Sequence, residues 1–129
     1  MEFTQIKETC LYIQNVDITE AFYQGKLGLP VISKVQNKHI FFKAGNSVLL
    51  CFVAADSRTK TSPPPHFGSG NLHFAFEVEK SDYEQRKIEI RDLGIEIIDE
   101  VIWKSGQESF YFNDPDGHVL EIVPKGIWD

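Results

Sequence analysis

The sequence predicts an α+β fold in which one unit, a strand followed by a helix and three more strands, is built twice. Three observations carry this. Short runs in which apolar and polar residues alternate with period two recur in both halves, the mark of strands with two unlike faces. Each half holds one helical stretch that stops at a glycine, and the stops match: Asp92-Leu93-Gly94-Ile95 lies 66 residues beyond Lys26-Leu27-Gly28-Leu29. A segment rich in proline and glycine separates the halves.

The first module, about residues 4–54, opens with a strand over Gln5 to Ile13. Thr9, Leu11 and Ile13 take one face, and Ile6, Glu8, Cys10 and Tyr12 the other. Asn15 or Asp17 supplies the oxygen to cap a helix starting near Ile18, with Glu20 well placed in its first turn. That helix is expected to bury Ile18, Ala21, Phe22 and Leu27 and to end at Gly28. After Pro30 come β-prone runs at Val31 to Val35, His39 to Lys43 and Ser47 to Val53, divided by Gln36-Asn37-Lys38 and Ala44-Gly45-Asn46.

Residues 55–70 form a connector with three consecutive prolines, Pro63 to Pro65, and then Phe67-Gly68-Ser69-Gly70. Connectors of this length are often functional when ordered. The second module, about 71–125, repeats the first. Its opening strand, Leu72 to Val78, puts Leu72, Phe74, Phe76 and Val78 on one face and His73, Ala75 and Glu77 on the other. Ser81 or Asp82 caps a helix expected to bury Tyr83, Ile90 and Leu93 before Gly94. Strands follow at Ile95 to Ile102, Glu108 to Asn113 and His118 to Pro124. The last two are joined by Asp114-Pro115-Asp116-Gly117, whose residue types suit a type I turn.

At 129 residues the chain is long enough for one domain with its own core. Thirteen basic against nineteen acidic residues leave a net charge of −6. That argues against nucleic acid or an anionic membrane as the main partner, since both attract excess Lys and Arg. The longest apolar run, Val48 to Ala55, is far short of the roughly 20 residues that span a bilayer. Met1-Glu2-Phe3-Thr4 has no basic stretch followed by an apolar one, so no signal peptide is expected. Cys10 and Cys51 sit in apolar runs with no framework of pairs, so a reducing, cytoplasmic setting is expected.

Three side chains carry chemistry. Glu8 is a carboxylate in a largely apolar strand, which is costly unless it is paired, protonated or metal-bound; the alternative is an edge or solvent-facing slot. His73 lies opposite four large apolar residues, either as a satisfied structural histidine or as a ligand. Glu121 stands alone between Val119-Leu120 and Ile122-Val123. Glu8 precedes His73 by 65 residues, close to the repeat offset. One nitrogen and two carboxylate donors together suit a divalent metal, and the lack of thiolates points away from copper(I) and iron–sulfur clusters. His39 is expected to be solvated and His66 to sit in a surface loop. His118, an odd number of positions from Glu121, falls on the other face of its strand. Cys10 shares the parity of Glu8 and reads as inert packing.

These residues resemble the vicinal oxygen chelate superfamily, which includes glyoxalase I, fosfomycin-resistance proteins, extradiol dioxygenases and bleomycin-binding proteins. The likeness runs from Lys7 to Val123. It is most specific at Ala21 to Leu29, at Leu72-His73-Phe74-Ala75-Phe76-Glu77-Val78, and at Phe110 to Glu121 with its Asn113-Asp114-Pro115-Asp116-Gly117-His118 core. The resemblance implies two βαβββ modules forming a curled mixed sheet around a cup-shaped site, with helices on the outer faces. It implies a metal held by Glu8, His73 and Glu121, where Glu8 replaces the commoner histidine. The metal would be zinc, nickel, iron, manganese or magnesium. A fourth ligand, the first-module glutamate of glyoxalase I, has become Leu49 or Leu50. Fosfomycin-type members carry further anion-binding residues near or beyond the last strand, where this sequence offers only Lys125.

The implied function is a metal-dependent enzyme of lyase-like or oxygenase-like type acting on a small oxygenated substrate, with Glu121 or Glu8 as general base. It would not be an efficient glyoxalase I. A second reading is a non-catalytic protein that binds a drug or metabolite, as bleomycin-binding members do, with Tyr12, Phe42, Trp103 and Tyr111 facing a planar cationic ligand. The resemblance also implies a homodimer in which modules of two chains complete each cup. Phe3, Ile127 and Trp128 are apolar residues placed to support it.

Overall fold

Each half of the sequence folds into a four-stranded mixed sheet in the computed structural model, which describes residues 1–129. The chain divides into two compact units, Met1–Gly70 and Asn71–Asp129. In the first unit β1 (Glu8–Ile13), β2 (Val31–Val35), β3 (His39–Ala44) and β4 (Ser47–Val53) lie in the order β1-β4-β3-β2. β1 runs parallel to β4, and the other neighbours are antiparallel. In the second, β5 (His73–Val78), β6 (Asp99–Ile102), β7 (Glu108–Asn113) and β8 (Val119–Pro124) repeat that order as β5-β8-β7-β6, again with the one parallel pair at β5 and β8.

This order explains why the helices lie where they do. In each unit the first two strands in sequence are the two edges of the sheet. The link between them must therefore cross one face, and its helix covers that face. In the first unit the link is α1 (Val16–Glu20), which runs directly into a π-helical segment, Ala21–Lys26. Tyr23, fully buried, packs against Phe22 and Phe42 with ring centroids 5.1 and 5.4 Å away. The connector between the units opens with one helical turn, α2 (Ala54–Ser57). In the second unit the sheet-crossing helix is α3 (Tyr83–Asp92), whose Tyr83 ring lies 5.5 Å from that of Phe110.

Several local expectations are corrected. Of the two expected caps Asn15 serves α1, its Oδ1 accepting the Ile18 N–H at 2.9 Å, but the helix starts at Val16, two residues earlier than expected. The buried stripe becomes Val16, Thr19, Phe22 and Tyr23, leaving Ile18 and Ala21 outside. In α3 Tyr83 and Ile90 are buried as expected, but Leu93 is exposed. Asp82 gives no side-chain cap and faces Arg86 at 3.7 Å instead. Strand β6 is shorter than the alternation suggests, because residues 95–98 carry the chain from the end of α3 to the sheet edge. No helix is long and apolar enough to cross a membrane.

Candidate functional site

Strand register fixes what each face presents. On the sheet face away from α3, Ala75, Glu121, Tyr111 and Asp99 form one rung across β5, β8, β7 and β6. The next rung outward is His73, Val119 and Asn113. The first unit has the same lattice: Cys10, Leu50, Phe41 and Ser33 in one rung, with Glu8, Val48 and Lys43 in the next. Glu8 therefore answers His73, and Leu50, not Leu49, answers Glu121. Leu49 is buried on the helix-covered face.

His73 and Glu121 meet, with Nε2 and Oε2 3.3 Å apart. The Glu121 side chain is only 9% exposed, whereas that of His73 is 51% exposed. Glu121 is placed on a strand with neighbours on both sides, and an unpaired carboxylate there costs on the order of several kcal/mol. The histidine is oriented from behind. Its Nδ1 lies 2.8 Å from the Val119 carbonyl oxygen, which can only accept, so Nδ1 carries the proton. Nε2 then offers the carboxylate either a second proton or a bare lone pair. A lone pair aimed at a carboxylate is repulsive unless a cation lies between them. An imidazole nitrogen and a carboxylate oxygen 3.3 Å apart are a donor pair compatible with a divalent cation.

Tyr111 flanks the pair, its ring 6.1 Å from that of His73. Its pKa is raised, first by burial and also by hydrogen bonding to Glu121 and the charges of Glu121 and Asp99, against a lowering hydrogen bond from Ser109. The phenol therefore stays protonated through neutral pH. Ser109, fully buried on the same face, accepts from Trp103 Nε1 at 3.0 Å.

Glu8 is exposed at the head of β1, on the face of Cys10 and Tyr12. Burial raises the Cys10 pKa, a hydrogen bond from Tyr12 lowers it, and the nearby Glu8 charge raises it. The chain gathers no group of three or more His, Cys, Asp or Glu side chains suited to a metal. Of the three expected ligands, the structure brings two together within the second unit, while Glu8 belongs to the first.

Other candidate residues resolve differently. His39 is half-buried, not solvated: its ring stacks on Phe41 at 4.0 Å, and burial lowers its pKa, with Lys60 the largest charge acting the same way. Phe42 is fully buried under α1 and cannot face a ligand; Phe41 takes that place. His66 does not hang in solvent alone. Its Nδ1 lies 2.9 Å from the Tyr12 hydroxyl and its ring 4.5 Å from that of Phe52. Ser57, fully buried, holds it by donating to the His66 carbonyl at 2.9 Å, while its own carbonyl accepts the His66 N–H at 3.3 Å. Gly68 lies so close to Tyr12 that an added Cβ would come within 2.6 Å of the ring. The connector thus straps the aromatic face of its own unit. No local pattern announces this contact, since Tyr12 and His66 are 54 residues apart.

Comparison with known proteins agrees with this architecture. The model of the glyoxalase-like domain matches residues 6–125. The chain is 29% identical over 115 residues to the glutathione transferase FosA of Serratia marcescens, covering 87% of this chain and 74% of that one. It is 31% identical over 58 residues to the metallothiol transferase FosB of Bacillus licheniformis, covering 44% of this chain and 38% of that one. The crystal structure of a lactoylglutathione lyase from Agrobacterium tumefaciens superimposes with a TM-score of 0.94 at 30% identity, over 99% of this chain and 98% of the other. With two matching modules, a family match along nearly its whole length and relatives of the same fold, the chain belongs to the glyoxalase-like family of the vicinal oxygen chelate superfamily.

Proposed function

We propose that this protein is a divalent-metal-dependent enzyme, lyase-like or oxygenase-like, acting on a small oxygenated substrate. The observation that carries the reading is the His73–Glu121 pair, with the histidine's far nitrogen tied to the Val119 carbonyl. His73 and Glu121 would hold the metal, and Glu8 would complete the set. A divalent cation bound there supplies Lewis-acid polarisation of substrate oxygens. Glu121 doubles as a base for a proton on the substrate carbon, and Glu8 is the second carboxylate able to share that task. Tyr111, held protonated, hydrogen-bonds to Glu121 on the same rung and so orients the carboxylate. The relatives named as a metallothiol transferase and a lactoylglutathione lyase support metal and thiol-adduct chemistry for this chain.

The test is metal analysis of protein purified without chelator, followed by titration with Zn²⁺, Ni²⁺ and Mn²⁺. About one ion per chain is expected, with binding weakened by at least tenfold in Glu121→Gln and in His73→Ala. Wild-type protein that takes up none of these ions sinks the reading. In that case the aromatic face of the first unit, with Tyr12, Phe41 and Phe52, would favour the non-catalytic binding protein.

A further inference from the structure

We propose that His118 is a positioning residue that sets the orientation of His73. The inference rests on the metal reading of His73 and Glu121 and adds to it the group that presents the histidine. Leu72 lies just ahead of the first paired residue of β5, where the ladder ends and its N–H has no strand partner. The imidazole of His118 supplies that partner: Nδ1 accepts the Leu72 N–H at 3.0 Å. The Leu72 carbonyl in turn accepts the Val119 N–H at 2.8 Å. His73 Nδ1–H then closes on the Val119 carbonyl. The main chain before His73 and the ring of His73 are thereby referenced to the same two consecutive residues, His118 and Val119.

The anchor is itself rigid. His118 is 2% exposed. Its N–H donates to Asp114 Oδ1 at 2.9 Å, and its carbonyl accepts from the Asp114 N–H at 3.1 Å and from Asn113 Nδ2 at 3.2 Å. The turn that precedes the last strand therefore delivers a buried acceptor to the start of a strand 46 residues earlier. The acceptor must be bonded directly to Cγ of the side chain. Asparagine, whose Oδ1 is also attached to Cγ, preserves it; phenylalanine keeps the ring and removes it.

Affinity for Zn²⁺ and Mn²⁺, measured by calorimetry on the full chain, tests this against thermal melts of the same samples. His118→Phe is expected to weaken binding about 10–100-fold, the range found when support behind a metal-binding histidine is lost. His118→Asn should stay within about threefold of wild type. Long-range ¹⁵N NMR of the metal-free proteins gives a second readout, with His73 protonated on Nδ1 in wild type and His118→Asn and averaged between tautomers in His118→Phe. If His118→Phe does not fold, His118→Gln, which moves the acceptor out by one bond, is expected to show the same loss. His118→Phe behaving as wild type in both measurements overturns the proposal, as does His118→Asn failing as badly as His118→Phe. Wild type that binds neither ion defeats the metal reading instead, and the His73 tautomer then decides the role of His118 alone.

Discussion

At the scale of single residues, the contrast between Glu121 and its counterpart Leu50 decides most. Both sit on central strands, opposite Ala75 and Cys10 respectively in register. One carries a carboxylate beside a histidine; the other is a half-buried leucine. Isomerising a hemithioacetal removes a proton from one carbon and returns one to its neighbour, and a placed general base contributes about 10²–10⁴-fold. With leucine at position 50, one carboxylate of the four-ligand pattern is absent. Turnover of the methylglyoxal–glutathione hemithioacetal is therefore expected to be slower by a factor in that range than for a chain bearing the glutamate. Leu50→Glu is expected to raise it, by steady-state assay across several divalent metals. Ordinary enzymatic rates in the wild type would show that the missing carboxylate is dispensable, and the likeness to a lactoylglutathione lyase makes the assay a direct one.

At the scale of elements, α3 buries Tyr83 and Ile90, and Tyr83, 6% exposed, has a hydroxyl that finds no partner. Its ring packs on Phe110, and Lys87 Nζ lies 5.2 Å over it. A buried hydroxyl without a partner costs about 1–3 kcal/mol, whereas phenylalanine keeps the ring contacts. Tyr83→Phe is expected to stabilise the protein by about 1 kcal/mol and to raise Tm by a few degrees. A lower Tm would mean that the hydroxyl is bonded, to a buried water for example. The helices also show where sequence periodicity misleads. Capped at Asn15, one of the two candidates, α1 starts at Val16 and buries Val16 and Thr19 instead of Ile18, although the segment is helical as its residue types imply.

At the scale of the whole molecule, burial raises the pKa of Tyr83 far above its ordinary value of 10.0, with Glu108 the leading charge. The phenols of Tyr12 and Tyr111 are raised as well, burial being the first cause in each. A group whose folded pKa is raised contributes stability that is complete below the unfolded value and is lost as pH rises through the folded one. Stability is therefore expected to be level on this account up to about pH 10 and to fall above it. Denaturant midpoints from pH 8 to 11 would show this, and Tyr83→Phe should flatten the fall. Equal midpoints at pH 8 and 11 would contradict it. Assembly is the second prediction at this scale. Phe3 and Trp128 are 84% and 91% exposed, and light scattering at micromolar concentration is expected to give the mass of a dimer. If modules of two chains share each site, co-expressing Glu8→Gln with Glu121→Gln chains should restore metal binding at one site per mixed dimer. Either variant alone should bind at least tenfold more weakly than wild type, and a mixture with no gain over the single variants would place each site within one chain.

By itself the sequence determined the paired βαβββ plan and the four strands and one sheet-covering helix of each module, and it singled out His73 and Glu121, which the structure places 3.3 Å apart. These are legible because alternation, caps and glycine stops are local, and because a lone charge in an apolar strand stands out against its neighbours. Tertiary structure alone decided the rest. It gave Leu50 the register position in its own sheet that Glu121 holds in the other, and aimed His73 at the carboxylate through the Val119 carbonyl. It also buried His118 as an acceptor for Leu72 and laid His66 on Tyr12. Each of these joins residues 46 or more positions apart or depends on strand register. Register is set when whole sheet faces pack, and period-two alternation reports which residues share a face but not which of them sit side by side across strands.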